Sequence, residues 1–392
     1  MAGLLAGCDK LPILDALEVQ RRPTMKKNST RPPSRKASGR PAAIGMDLGD
    51  KSSRYCVLDE EGEIVKEDSV GTTKKAMLQV FGSMPRCRIA IEVGTHSPWV
   101  SRLLKNLGFE VTVANSRSVP LISASTQKSD RRDAQMLARL VRVDPELLRP
   151  IRHRGEQAQT DLMRIKVRAA LVEARTSLVN AARGLTKAAG ERLPSCDADA
   201  MGEKQAEGLP LELQAGLRPL LQQVESLTEK IKGCDAELKQ IAEERYQETE
   251  LLQQIKGVGP LIALTFVLTV EDPERFKKSR DVGCYVGLRP KRSESGEQQP
   301  QLGITKEGDI YLRKMLVQGA HYILGYQGPD TDLRRWGLKL AQRGGKNAKK
   351  RAIVAVARKL GILLHRLWVS GEVYEPLRNS NTRQAAAQRA AA

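Results

Sequence analysis

Aromatic residues make up only 4% of the 392-residue chain. That is little for stacking on bases, and it favours recognition through backbone charge and shape. The six cysteines, Cys8, Cys56, Cys87, Cys196, Cys234 and Cys284, are scattered, and none forms a C-x-x-C pair. The four histidines, His96, His153, His321 and His365, lie near no such pair. A zinc site and a disulfide framework are therefore not expected, and a reducing cytoplasm fits. No apolar run reaches the roughly 18 residues of a membrane span. The weakly apolar stretch Leu11 to Leu17 carries Asp15 and lacks an early basic region, so it does not read as a signal peptide. No Walker A word occurs, because Gly345-Lys346 is followed by Asn347 and position 340 is Leu. Acids are missing between Lys339 and Arg366, where nine Lys or Arg stand.

What is present is positive charge and enough apolar material for cores. Lys plus Arg is 65 against 46 Asp plus Glu, a net charge of +19. The hydrophobic share of 40% excludes a wholly disordered chain. A polyanion is the expected partner, nucleic acid first and an anionic membrane surface second. At about 100–200 residues per domain, two or three domains are expected.

The chain divides into segments of different character. Residues 1–41 end in a Pro, Ser and basic tract with no hydrophobic periodicity, which reads as a disordered tail; Met25 is an alternative start. Residues 42–150 read as α/β. Short apolar runs at Ala43–Asp47 and Cys87–Val93 each carry an acid at their end, Asp47 and Glu92. Strands are also expected over Arg54–Leu58, Glu63–Val65 and Phe109–Ala114, and a helix over Ser97–Leu107 with Pro98 in its first turn. Such alternation implies a partly parallel sheet.

Residues 151–248 read as two long helices around a polar break near Gly190–Pro210. The second carries Leu217, Leu220, Val224, Leu227, Ile231, Cys234, Leu238 and Ile241, an unbroken heptad seam. This coiled-coil seam can face the first helix (Leu162, Ile165, Val172, Val179) or another protomer, and the sequence leaves both open. Residues 249–376 form a basic, mostly helical domain, and residues 377–392 a second tail. The stripe Ile353, Val356, Leu360, Leu363 and Leu367 lets one face of its last helix pack while Lys346, Lys349, Lys350 and Arg351 meet phosphate.

Four carboxylates carry the chemistry. Asp47 and Glu92 close two strands, and adjacent strand ends in an α/β sheet can converge on one crevice. Asp130 and Asp133, i and i+3 in Lys128-Ser129-Asp130-Arg131-Arg132-Asp133, share a helical face. Taken singly, Asp130 reads as an N-cap and Asp133 as an ordinary first-turn acid. Crowded together, four acids repel unless a cation neutralises them, and hard oxygen donors suit Mg²⁺ or Mn²⁺. Two such ions can clamp the attacking and leaving oxygens of a phosphoryl displacement.

The words IGMDLG (44–49), AIEVG (90–94) and KSDRRDAQMLARL (128–140) resemble the DEDD-type, RuvC-like domain of the IS one-ten family of transposases and of the related Piv-type DNA invertases. IKGVGPLIAL (255–264), DVGCYVGLRPKRSESG (281–296) and GITKEGDIYLRKMLVQGA (303–320) resemble that family's second domain. The resemblance spans roughly residues 42–375. It implies an RNase H-like domain, a coiled-coil insertion and a helical transposase domain. It implies Asp47, Glu92, Asp130 and Asp133 as the metal-holding quartet for two ions, and a serine nucleophile in the Ser295-Gly296 word, with Ser293 close by as the alternative. It implies DNA as substrate, a structured element-encoded RNA as guide and a homo-oligomer.

A serine hydroxyl is a weak nucleophile alone and needs activation. Lys291 and Arg292 beside it would draw in a phosphate. Gly257 and Gly259, next to Lys256, resemble the hairpin of a helix-hairpin-helix element, whose glycines let backbone N–H groups approach phosphate; a tight turn between packed helices is the equal alternative. Lys128, Lys306 and Arg313 complete the expected nucleic-acid contacts. A Holliday-junction-type nuclease or an invertase of the same fold is the nearest alternative function, and a non-catalytic nucleic-acid scaffold the alternative from another class. Asp47-Leu48-Gly49 also resembles the phosphate-binding entry of actin-like and sugar-kinase ATPases, but that fold's later motifs are absent from the sequence.

Overall fold

A computed structural model describes residues 42–115, 129–293 and 302–381, which fall into two compact units, the first ending at Arg152 and the second beginning at His153. The N-terminal tail, Lys128 and the Ser295-Gly296 word lie outside the described residues.

The first unit is built on a mixed five-stranded sheet. Its strands are β1 (Ala43–Asp47), β2 (Ser52–Leu58), β3 (Ile64–Gly71), β4 (Arg88–Glu92) and β5 (Glu110–Ala114), in the spatial order β3-β2-β1-β4-β5. β1 runs antiparallel to β2 and parallel to β4, and β4 runs parallel to β5. Among the described residues three helices accompany the sheet: α1 (Lys74–Phe81), α2 (Ser97–Asn106) and α3 (Asp130–Val143). The arrangement is in keeping with an RNase H-like domain.

Residue size decides how close the helices come. Side chains alternate between faces along a strand. On one face Ile44, Met46, Ile89 and Ile91 bury against Met77 and Phe81 of α1 and Val100 and Leu104 of α2. On the other face stand Ala43, Gly45, Ala90 and Ala114, all small, and α3 lays Leu137, Leu140 and Val141 on them. A Cβ on Gly45 would lie 2.1 Å from the Ala134 carbonyl oxygen and 2.3 Å from the Ala138 nitrogen, so α3 rests directly on the β1 backbone. Helix α1 and the length of β3 are not evident in the sequence. β3 runs on to Gly71 with alternating exposure rather than stopping at Val65, because it is an edge strand pairing with β2 over its whole length.

The second unit is helical: α4 (Glu156–Ala188), α5 (Leu211–Arg245), α6 (Glu248–Gln253), α7 (Pro260–Val270), α8 (Val282–Tyr285), α9 (Ile310–Leu324), α10 (Asp332–Ala341) and α11 (Ala348–Ser370). α4 and α5 pair antiparallel. Leu162 and Ile165 near the start of α4 meet Leu238 and Ile241 near the end of α5, and Val179 and Ala182 meet Leu217, Leu221 and Val224. Leu217, Val224, Leu227, Ile231, Leu238 and Ile241 of the heptad seam are buried within the chain, while Leu220 and Cys234 are half-buried, which favours the intramolecular of the two arrangements the sequence left open.

Charged pairs bridge the two helices: Arg168 with Asp235 at 2.7 Å, Arg164 with Glu237 at 2.7 Å, and Arg245 with Asp161 at 3.1 Å. Apolar all round, α7 is central. Its Leu264 and Leu268 join the base of this hairpin, and its Phe266, Val267 and Val270 join Leu312, Leu316, Val356, Leu360 and Leu364 of α9 and α11. Of the tail expected over 377–392, residues 378–381 instead form a helical turn fixed to Asp332, which accepts from the Asn379 backbone at 2.7 Å; the rest lies outside the described residues. Among the described residues no helix is long and apolar enough to cross a membrane.

Candidate active site and nucleic-acid surface

The β1–β4 register pairs Ala43 with Arg88 and Met46 with Ile91, so the next residues along, Asp47 and Glu92, close the two strands side by side. Both follow the small residues of the α3 face by two positions and so share that face. α3 runs antiparallel to β1, with its N-terminus at this end of the sheet. Gly45 sits against Ala134 and Ala138. Asp47, two residues on, is about 6.6 Å further along the strand, a distance covered by about four residues of helix. That step leads back to the first turn of α3, which holds Asp130 and Asp133.

Ser129 caps this helix, its Oγ accepting from the Arg132 backbone N–H at 3.4 Å, so the cap is not Asp130. Asp133 is buried and Asp130 is exposed; Asp47 and Glu92 are half-buried. Arg54 stands directly opposite Asp47 on β2. Among the described residues no three Asp, Glu, His or Cys side chains are gathered tightly enough to hold an ion. The four acids share one face and one end of the sheet without forming a closed cage. As hard oxygen donors they fit Mg²⁺ or Mn²⁺, which would neutralise their mutual repulsion.

The sequence reading missed a fifth acid on this face. Glu67 of β3 accepts from Arg131 Nε at 2.9 Å and also bonds Arg131 Nη2 and Gln135 Nε2. The hydrogen bond from Arg131, followed by that from Gln135 and the Arg131 charge, holds the Glu67 carboxyl below its ordinary range against the opposing effect of burial. The pair ties the first turn of α3 to the sheet edge. The one signal for Glu67 in the sequence is the alternation of β3, which continues past the Val65 boundary expected there.

In the second unit, Gly257 has φ of +101° and turns the chain between α6 and α7. A Cβ there would come within 3.0 Å of Tyr322 and 3.1 Å of Ile323, so this glycine serves packing against α9. Lys256 and Gly259 are exposed beside it. Arg313 donates to the carbonyls of Val286 at 2.8 Å and Glu307 at 2.9 Å, so its guanidinium pins the fold around α9. Lys291, Arg292 and Ser293 are exposed. The arms leading to and from the Ser295 segment are bridged by Pro290 and Ile304, and the Lys291 N–H reaches the Gly303 carbonyl at 2.8 Å. Lys306, Lys346, Lys349, Lys350 and Arg351 are all exposed.

The sequence profile described as "Transposase IS116/IS110/IS902 family" matches residues 249–332, and a DEDD transposase profile of IS110 type matches residues 44–189. The y4pF/y4sB protein of Sinorhizobium fredii, named as a transposase, is 32% identical over 311 residues, covering 77% of this chain and 78% of its own. The chain belongs to the IS110 transposase family.

The transposase of insertion sequence element IS1111A from Coxiella burnetii is 28% identical over 339 residues, covering 84% of this chain and 90% of that one. A family 20 transposase of Pseudomonas aeruginosa is 27% identical over 342 residues, covering 85% and 98%. Membership makes insertion-sequence transposition the enzyme class of the chain. The profile over 44–189 covers the stretch that holds Asp47, Glu92, Asp130 and Asp133.

Proposed function

We propose that the chain cleaves and exchanges DNA strands at the ends of an insertion sequence, with Asp47, Glu92, Asp130 and Asp133 holding divalent metal and Ser295 as nucleophile. The observation that carries the reading is the β1–β4 register, which brings Asp47 and Glu92 side by side on the face where the first turn of α3 rests. The carboxylates would hold Mg²⁺ or Mn²⁺, which supplies charge neutralisation at the phosphate. The serine oxygen gives up its proton and forms a new bond to phosphorus as the bond from phosphorus to a sugar oxygen breaks, and that proton is balanced by the one the released sugar oxygen takes up to become a hydroxyl. The strand end is then held covalently and can pass to a second DNA. The basic second unit supplies phosphate contacts, with Lys256, Gly259, Lys291, Arg292, Lys306, Lys346, Lys349, Lys350 and Arg351 as candidates, and Lys128 is a further candidate just ahead of α3. An element-encoded RNA is the proposed guide, and assembly of several protomers uses surfaces other than the buried heptad seam.

The test uses the full chain on DNA carrying an element end. Asp47→Ala should abolish metal-dependent cleavage while DNA binding persists. Ser295→Ala should abolish the covalent protein–DNA adduct. An adduct that survives in Ser295→Ala and disappears in Ser293→Ala would reassign the nucleophile. Wild type that binds DNA without any reaction would favour a scaffold. Sequencing the nucleic acid that co-purifies with the protein tests for the RNA.

A further inference from the structure

The second unit carries a groove of about 1570 Å³ whose rim is cationic and whose floor is apolar. Lys278 and Arg280 enter it from the turn before α8, Lys306 from the arm returning from the Ser295 segment, and Arg343 from the end of α10. α11 contributes Lys350 and Arg351 and, about two turns further along, Arg358 and Lys359. No acid stands among the described lining residues. The floor is made by Leu288, Leu340, Ala355 and Ile362 with the indole of Trp336, over which the Lys359 ammonium sits at 3.7 Å from the ring centroid. Arg358 packs along Gly283, and its buried Nε has no hydrogen-bond partner among the described residues. A buried guanidinium N–H without a partner costs free energy unless something else accepts from it.

We propose that this groove binds a single-stranded stretch of nucleic acid, with phosphates on the Lys and Arg rim and bases turned onto the Trp336 floor. It rests on the reading of the chain as a nucleic-acid recombinase, and it adds a strand-binding site that the catalytic residues do not provide. The shape argues against a duplex. A duplex presents charged backbone on its outside, and seating it here would press phosphates against Leu288, Leu340 and Ile362. A single strand can separate its two chemistries, and one aromatic ring with a cation on its face suits sequence-tolerant base contact. DNA and RNA share this chemistry.

The test measures binding by the full chain, in EDTA, of a fluorescent 12-mer as single-stranded DNA, as single-stranded RNA and as duplex DNA. Single strands should bind more tightly than duplex, and the preferred sugar identifies the natural strand. Arg358→Ala/Lys359→Ala should weaken single-strand binding at least tenfold and lower the slope of log affinity against log salt by about 1.4. Lys350→Glu, on an exposed side chain that cannot disturb the core, should weaken it too, whereas Lys230→Ala on α5 should not.

In 5-fluorotryptophan-labelled protein, the ¹⁹F resonance lost in Trp336→Phe should shift on adding the oligonucleotide, and those of Trp99 and Trp368 should stay. Equal loss for duplex and single strand would overturn the single-strand assignment. Unchanged affinity in Lys350→Glu, or a silent Trp336 resonance, would overturn the site. Cleavage that survives in Asp47→Ala, or wild type that never cleaves, with groove binding intact would sink the recombinase reading alone.

Discussion

The carbonyl oxygen of Ala134 occupies the space that a side chain on Gly45 would need, 2.1 Å from the position of its Cβ. That contact sets the height of α3 above β1, and with it the distance from Asp130 and Asp133 to the strand ends. Gly45→Ala should therefore act on the site from two residues away. The helix must lift or the strand must bow, at a cost of about 1–3 kcal/mol. A lowered melting temperature, together with a higher Mg²⁺ concentration for half-maximal cleavage, is the expected outcome. Wild-type stability in this variant would show that α3 does not rest on β1.

Glu67 and Arg131 make a separable case. Their bond holds the first turn of α3 from the side, at the edge strand, without touching the core. Glu67→Gln should leave the fold intact and loosen the first turn of α3, where Asp130 and Asp133 are proposed to hold metal. Cleavage should fall several-fold at limiting Mg²⁺ and recover as Mg²⁺ is raised. A loss that Mg²⁺ does not rescue would place Glu67 outside this positioning role.

Asp161 offers a pH signature in the other unit. Its side chain is fully buried and accepts from Tyr246 Oη at 2.9 Å and from Arg245 Nη1 at 3.1 Å. Burial alone would raise its carboxyl, but the hydrogen bonds from Gln157 and Tyr246, with the Arg245 charge, bring it below the usual aspartate range. A carboxyl depressed in the folded state stabilises fully above its unfolded value of about 3.9, and that contribution is lost as pH falls through the depressed value. Asp161→Asn should therefore unfold more easily than wild type at pH 7 by about 2 kcal/mol. The gap should hold down to about pH 5 and close below about pH 4. Urea midpoints across that range check it, and a gap independent of pH would contradict it.

The strand ends were legible because Asp47 and Glu92 terminate short apolar runs whose boundaries lie within a residue or two of the observed ones. The order of the acids was legible for the same reason. What the sequence could not carry is height and side. Gly45 reads as an ordinary strand glycine until α3 is seen resting on it, and Glu67 reads as a loop acid while β3 is cut short at Val65. The basic groove was half visible: the acid-free run of α11 stands out, but Lys278, Arg280 and Lys306 reach it only through tertiary folding. Gly257 kept two meanings in sequence, and its closeness to Tyr322 and Ile323 favours the packing one.

The heptad seam gives the last prediction. Leu227 is 6% exposed on α5, in a seam whose residues Val224 before it and Leu238 after it pack in clusters with α4 residues of the same chain. Placing a carboxylate there removes apolar burial and strands a charge, at a cost of about 3 kcal/mol or more. Leu227→Asp should therefore lower the unfolding midpoint of the second unit at any protein concentration. A seam joining protomers would behave differently, because its stability would depend on concentration. The variant would then halve the mass measured by light scattering and leave the remaining monomer folded. Melting curves at two concentrations, read beside the scattering mass, separate the two. A concentration-independent loss of stability with unchanged mass is the outcome the hairpin requires.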